Sequence, residues 1–245
     1  LINMKSIRIL FLGGLGNQLW IAAYAYYLKD KYDEVRLDYS WYKDYSRYFY
    51  NKKRVLRIGY SEVILPLSKN FRIYNSPASL IKFQFKKLFN TNKTNEIFGY
   101  PYYQDESYIK KSFCKKISYE IARAATIDLK FGLGKFNKNL FNSTAIHIRL
   151  GDRGELTSKE INHLKHQISK LNSQDQLYLF SDDVDKAESI LKEITNYKVK
   201  KLKESNELFD FIAMSLCKDR IISRESTFSF WANYLSDNIR YEFMI

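Results

Sequence analysis

The residues best suited to chemistry lie just past the middle of this 245-residue chain, in Ala145-Ile146-His147-Ile148-Arg149-Leu150-Gly151-Asp152. Apolar Ala145, Ile146 and Ile148 surround a histidine and an arginine, and Gly-Asp breaks the run. That pattern predicts a short strand delivering polar groups to its carboxyl end, where open α/β sheets bind ligands. Arg149 carries a planar fork that grips a phosphate or carboxylate through two parallel hydrogen bonds. The plainer alternative is a strand end closed by a surface ion pair between Arg149 and Asp152.

Three other strand ends carry polar groups. Gly13-Gly14-Leu15-Gly16, then Asn17-Gln18, follow an apolar run from Ile7 to Leu12. Glycines let the backbone approach a ligand, and the start of the next helix offers N–H groups to an anion. The spacing is not that of the GxGxxG dinucleotide fingerprint, and a tight strand-to-helix turn explains it equally well. Ser181-Asp182-Asp183 closes the apolar run Leu177 to Phe180. Its carboxylates suit hydrogen bonds from a base or ribose, or simply a helix cap. Ser226-Thr227-Phe228 opens a helix, and together with Arg149 it would supply what a diphosphate needs: a cation with oriented hydroxyl and N–H donors.

The elements that must position these groups alternate between strand and helix. The first half predicts a strand over Ile7 to Leu12, a helix over Leu19 to Leu28, a strand over Glu34 to Leu37, an aromatic loop over Phe98 to Gln104 and a helix over Tyr108 to Thr126. The polar stretch from Gly132 to Ser143 reads as the connection between two domains, 1–140 and 141–245. The second half predicts strands at 145–149, 176–180, 197–200 and 220–223. Helices are expected at 158–171, 185–194 and 207–217, with a last one from Ser226 through Leu235. This rhythm belongs to α/β folds with parallel sheets, and ligand groups on facing edges describe a cleft.

Composition narrows the partners. A formal net charge of +13 calls for an anionic partner: nucleic acid, an acidic membrane or a phosphorylated small molecule. Much of it falls in residues 43–87, where eleven Lys and Arg face only Asp44 and Glu62. Within that block Ile81, Phe85, Leu88 and Phe89 share one face of an expected helix over 79–89, which could lie on an anionic membrane or be ordinarily half buried. An RRM, KH or zinc-finger signature is missing, which weighs against a nucleic-acid module. Cys114 and Cys217 form no CxxC pair, which suits a reducing compartment and argues against a cysteine zinc site. With no apolar run of spanning length and no signal-peptide pattern, a cytoplasmic location is expected.

Five segments in order make the chain resemble the α-1,2-fucosyltransferases of glycosyltransferase family 11. Gly13 to Leu19 is similar to the family's GGLGNQ segment, Gly99-Tyr100 to Gln104 to its GY-F-Q, His147 to Asp152 to HxRRGD, Phe180 to Asp183 to FSDD, and Ser226 to Ala232 to STFSWWA. Leu150 replaces the second Arg of HxRRGD, Phe230 replaces a Trp, and Arg224-Glu225 stands where the family often has Asn.

The resemblance implies a GT-B architecture, two Rossmann-like domains facing each other across a cleft, with GDP-fucose as donor, inversion at the sugar carbon and no metal. It makes Arg149 the ligand of the β-phosphate and stabiliser of the leaving GDP. His147 and one of Asp182/Asp183 would contact guanine or ribose, and Ser226, Thr227 and Phe228 would line the diphosphate. Asn17, on the turn with Gly14 and Gly16, would face the sugar, and Asp152 or Glu155 is the nearest candidate base. Leu150 keeps a related GDP-deoxysugar, colitose or 6-deoxytalose, open as donor. The acceptor would be a glycan, free or lipid-linked, and the basic block would touch the inner leaflet of a bacterial membrane.

Overall fold

The computed structural model describes residues 5–42, 71–74, 96–99, 103–128, 139–151, 154–172, 176–202, 207–223 and 225–244. They fall into two compact units, Leu1–Glu120 and Ile121–Ile245. The expected amphipathic helix over 79–89, the basic block apart from 71–74, and residues 132–138 of the expected domain connection lie outside the described residues.

The first unit holds β1 (Ser6–Leu10), α1 (Leu15–Leu28), β2 (Glu34–Asp38), β3 (Phe71–Tyr74), β4 (Glu96–Gly99) and most of α2 (Lys111–Asp128). Its strands pair in the order β3-β2-β1-β4, every neighbour parallel. A parallel sheet covered on both faces needs strands that are apolar throughout, and β1 is buried at all five positions. The one cation in it, Arg8, is matched by Asp38 at the end of β2: the Nε–Oδ2 distance is 2.9 Å, and both side chains are buried. Helix α1 is buried on most of its circumference, from Leu15 and Leu19 to Trp20, Ile21 and Tyr26.

The second unit holds β5 (Ser143–Ile148), α3 (Ser158–Ile168), β6 (Gln176–Ser181), α4 (Val184–Ile194), β7 (Val199–Lys200), α5 (Glu207–Leu216), β8 (Asp219–Ile221), α6 (Thr227–Tyr234) and α7 (Ser236–Met244). Its order, β7-β6-β5-β8, is again all parallel and repeats that of the first sheet. Alternation along β5 sends Ile146 and Ile148 into one core with Leu164 and Ile168 of α3 and Ala187 and Leu191 of α4. His147 points the other way, toward Phe228, which in turn meets Phe211 of α5. The sheet is therefore covered on both sides. In each unit the order reverses at the central strand, between β1 and β4 and between β5 and β8, and at such a switch point the carboxyl ends of the strands frame a crevice.

Several boundaries differ from expectation. Helix α1 begins at Leu15, one turn before Leu19, because Gly14 serves as an extended N-cap and Gly16 to Gln18 continue as helix. Phe98 and Gly99 close a strand rather than open a loop. The expected last helix ends as expected, with Leu235 as its C-cap, and a further helix that was not expected, Ser236–Met244, follows it. Among the described residues no helix is long and apolar enough to cross a membrane.

Candidate functional site

At the carboxyl end of β5 the backbone leaves the ladder with unpaired groups, and side chains from both neighbouring strands take them up. The pairing with β8 ends at Ile146 and Ile221. Beyond it the Ser223 hydroxyl donates to the His147 carbonyl (2.7 Å) and accepts the Arg149 N–H (3.0 Å). From the β6 side the Asp182 carboxylate accepts the N–H groups of Leu150 (2.8 Å) and Gly151 (2.9 Å). A Cβ built on Gly151 would lie 2.5 Å from Asp182 Oδ2. A side chain at 151 would push that carboxylate off the two N–H groups it accepts.

Arg149 follows the last residue of β5 and is half-buried. Leu150 is 2% exposed and joins the Ile146 and Ile148 side of the core. The position at which the family pattern has a second arginine is therefore turned inward in this chain, and Arg149 alternates onto the face of His147.

His147 is buried, and its Nδ1 has no hydrogen-bond partner among the described residues. Burial away from water lowers its pKa to about 4; the Asp182 carboxylate pulls it up and the Arg149 guanidinium pushes it down. The imidazole is neutral at neutral pH, with its ring 5.6 Å from that of Phe228.

Ser226 is buried and caps α6, its hydroxyl accepting the Ser229 N–H at 3.4 Å. Glu225, just before it, has φ +61°, a left-handed turn that Asn adopts more readily than Glu. The start of α6, with Thr227 and Phe228 in its first turn, therefore stands beside the carboxyl end of β5. Asp183 caps α4 by accepting the Lys186 N–H (3.2 Å). Its observed work is that of a cap, while Asp182 holds the loop after β5.

In the first unit the Gly13 carbonyl accepts hydrogen bonds from Gln18 Nε2 (3.2 Å) and the Tyr42 hydroxyl (2.9 Å). Gly13 has φ +83°, and a Cβ there would meet Asn17 Nδ2 at 2.7 Å. Asn17 thus folds over the turn from the first turn of α1, with Gly14 as the N-cap and Gly16 buried inside the helix.

The structure gathers His147, Arg149, Asp182, Ser226, Thr227 and Phe228 at one sheet edge of the second unit. It places Asn17, Gly14 and Gly16 at the corresponding edge of the first. Asp152 lies outside the described residues, and Glu155 is exposed, 3.9 Å from Lys186 Nζ. Ser223 and Tyr42 are the contributors that sequence reading missed. Among the described residues no group of three or more His, Cys, Asp or Glu side chains is placed to hold a metal ion.

The sequence model of Glycosyl transferase family 11 matches residues 69–241, well over half of the chain. No curated protein matches it in sequence. Among solved structures, the fucosyltransferase NodZ from Bradyrhizobium superposes with a TM-score of 0.56 at 14% identity, covering 95% of this chain and 93% of NodZ. NodZ α-1,6-fucosyltransferase co-crystallised with GDP gives 0.56 at 13% identity, with 95% and 92% covered. At such identity the likeness is one of fold, and it bears out the expected α/β fold of the GT-B kind, with a parallel sheet in each unit.

Proposed function

The chain belongs to glycosyltransferase family 11, and on that premise we propose that it is an inverting, metal-independent α-1,2-fucosyltransferase. It moves L-fucose from GDP-fucose to the 2-hydroxyl of a galactosyl glycan. The observation that carries the reading is the cation at the switch point: Arg149, its backbone hydrogen-bonded on both sides, beside the capped start of α6. NodZ, similar in fold, is described with GDP and with GDP-fucose, which supports a GDP-sugar donor here.

Cleavage of the bond between the sugar C1 and the β-phosphate oxygen leaves the electron pair on the diphosphate and positive character on the ring. A fixed guanidinium and helix N–H groups stabilise that charge without reorganising. Removing one such group costs about 2.7–4 kcal/mol of barrier, on the order of 10²–10³ in rate. The acceptor hydroxyl attacks C1 from the opposite face and gives its proton to Asp152, Glu155 or water. Neutral His147 and the Phe228 ring offer a hydrogen-bonding edge and an apolar face to the guanosine.

Titration of GDP without metal into wild type and Arg149→Ala tests this directly. Micromolar binding that falls at least tenfold in the variant is expected, followed by fucose transfer in the presence of EDTA and a product whose NMR shows the 1,2 linkage. Failure of wild type to bind GDP, with or without magnesium, sinks the donor assignment. Turnover of GDP-colitose or GDP-6-deoxytalose but not GDP-fucose corrects the sugar alone.

A further inference from the structure

We propose that Ser223 is a positioning residue for Arg149, setting the direction in which its guanidinium leaves the sheet. The proposal rests on the reading that Arg149 binds the donor diphosphate. Two rotations about Cα decide where an arginine side chain starts, and each is fixed by the peptide plane on its side. The plane before Arg149 is held through its N–H, which Ser223 Oγ accepts, and the same hydroxyl donates to the His147 carbonyl of the preceding peptide, so one side chain ties two successive planes. The plane after it is held by Asp182, which takes the Leu150 N–H and then that of Gly151.

Ser223 does this where the backbone cannot. The β5–β8 ladder stops at Ile146 and Ile221, so a side-chain hydroxyl continues the pairing past the point where β8 turns away. The same residue reaches α6: its carbonyl accepts the N–H of Ser226 at 3.3 Å and the hydroxyl of Ser229 at 3.5 Å. One serine thereby fixes the cation and the helix start relative to each other, and these are the two groups the diphosphate would bridge. Bidentate pairing depends on geometry, and a displacement of about 1 Å can cost on the order of 10²-fold.

The test is a double-mutant cycle on the full chain, read as GDP affinity. Calorimetry serves for tight binding and ligand-observed NMR at millimolar GDP for weak binding. Ser223→Ala is expected to weaken GDP binding about three- to tenfold, the range of one net hydrogen bond, and to lose that effect in the Arg149→Ala background. The isosteric pair Ser223→Thr and Ser223→Val separates hydroxyl from volume: threonine should retain affinity and valine should behave as alanine, at equal melting temperatures. An equal loss in both Arg149 backgrounds, or equal affinities of the Thr and Val variants, overturns the proposal. So does full affinity of a folded Ser223→Ala while Arg149→Ala is impaired. Absence of GDP binding by wild type overturns instead the reading beneath it, and the proposal falls with that reading.

Discussion

At the scale of single residues, the site is decided by which face of β5 each side chain takes. Leu150 stands where the family pattern has a second arginine, yet it packs with Ile148, Leu164 and Leu191. Restoring that arginine would put a charge into an apolar core, and a buried unpaired charge costs far more than a donor contact returns. Leu150→Arg is therefore expected to destabilise the protein by more than about 4 kcal/mol, seen as a collapsed urea midpoint. A stable variant with tighter GDP binding would show that residue 150 can turn toward the ligand. His147 makes a second case. Its folded pKa of about 4 lies below the ordinary 6.5, so the unfolded chain takes up a proton first as pH falls. The stability its neutral burial allows is complete above pH 6.5 and drains away as pH falls toward 4. The loss is on the order of 2 kcal/mol by pH 5. Urea unfolding of wild type at pH 7.5 and 5 should show that loss, and His147→Gln should show less of it; parallel profiles would refute the assignment.

At the scale of elements, helix ends do much of the arranging. Asp183 caps α4 while its neighbour Asp182 ties down the loop after β5, so adjacent aspartates should separate on mutation. Asp183→Ala is expected to cost about 1 kcal/mol of stability, the usual value of a cap, with GDP affinity intact. Asp182→Ala, which strands two backbone N–H groups, should lower both. Tenfold weaker GDP binding by a folded Asp183→Ala would place that carboxylate on the ligand. What the sequence made legible follows the same physics. Strands and helices with strong apolar periodicity, such as β5, α4 and α5, lay within a few residues of expectation, because their burial is written in local pattern. Four-residue β3 and β4 were missed because they fall among basic and aromatic residues that show no period. The polar residue types of the second unit's edge were readable from motif and spacing. Their partners were not: Ser223 reaches Arg149 across 74 positions, Asp182 reaches Leu150 across 32, and Tyr42 reaches Gly13 across 29. Bonds of that range leave no local signal.

At the scale of the whole molecule, charge is the property that the fold leaves unexplained. Two parallel sheets of the same order need no basic excess, and a single diphosphate needs few cations, yet the chain carries 40 Lys and Arg against 27 Asp and Glu. Eleven of those cations fall within residues 43–87 beside two acids. Helix α2 adds exposed Lys111, Lys115 and Lys116 on the first unit. Each Lys or Arg close to an anionic bilayer contributes about 1 kcal/mol, an attraction that salt screens. An enzyme acting on lipid-linked glycans would gain from that attraction by meeting its acceptor in two dimensions. The protein should then float with vesicles rich in phosphatidylglycerol at low salt, stay behind with neutral phosphatidylcholine, and be released by about 0.5 M NaCl, where the Debye length falls below about 5 Å. Replacing Lys52, Lys53, Arg54 and Arg57 by Gln should abolish flotation while leaving GDP binding in place, because the edge proposed to take the donor belongs to the second unit. A protein that stays in solution with anionic vesicles would remove the membrane from the account. A salt-sensitive gel shift with RNA or DNA would then give the charge its partner.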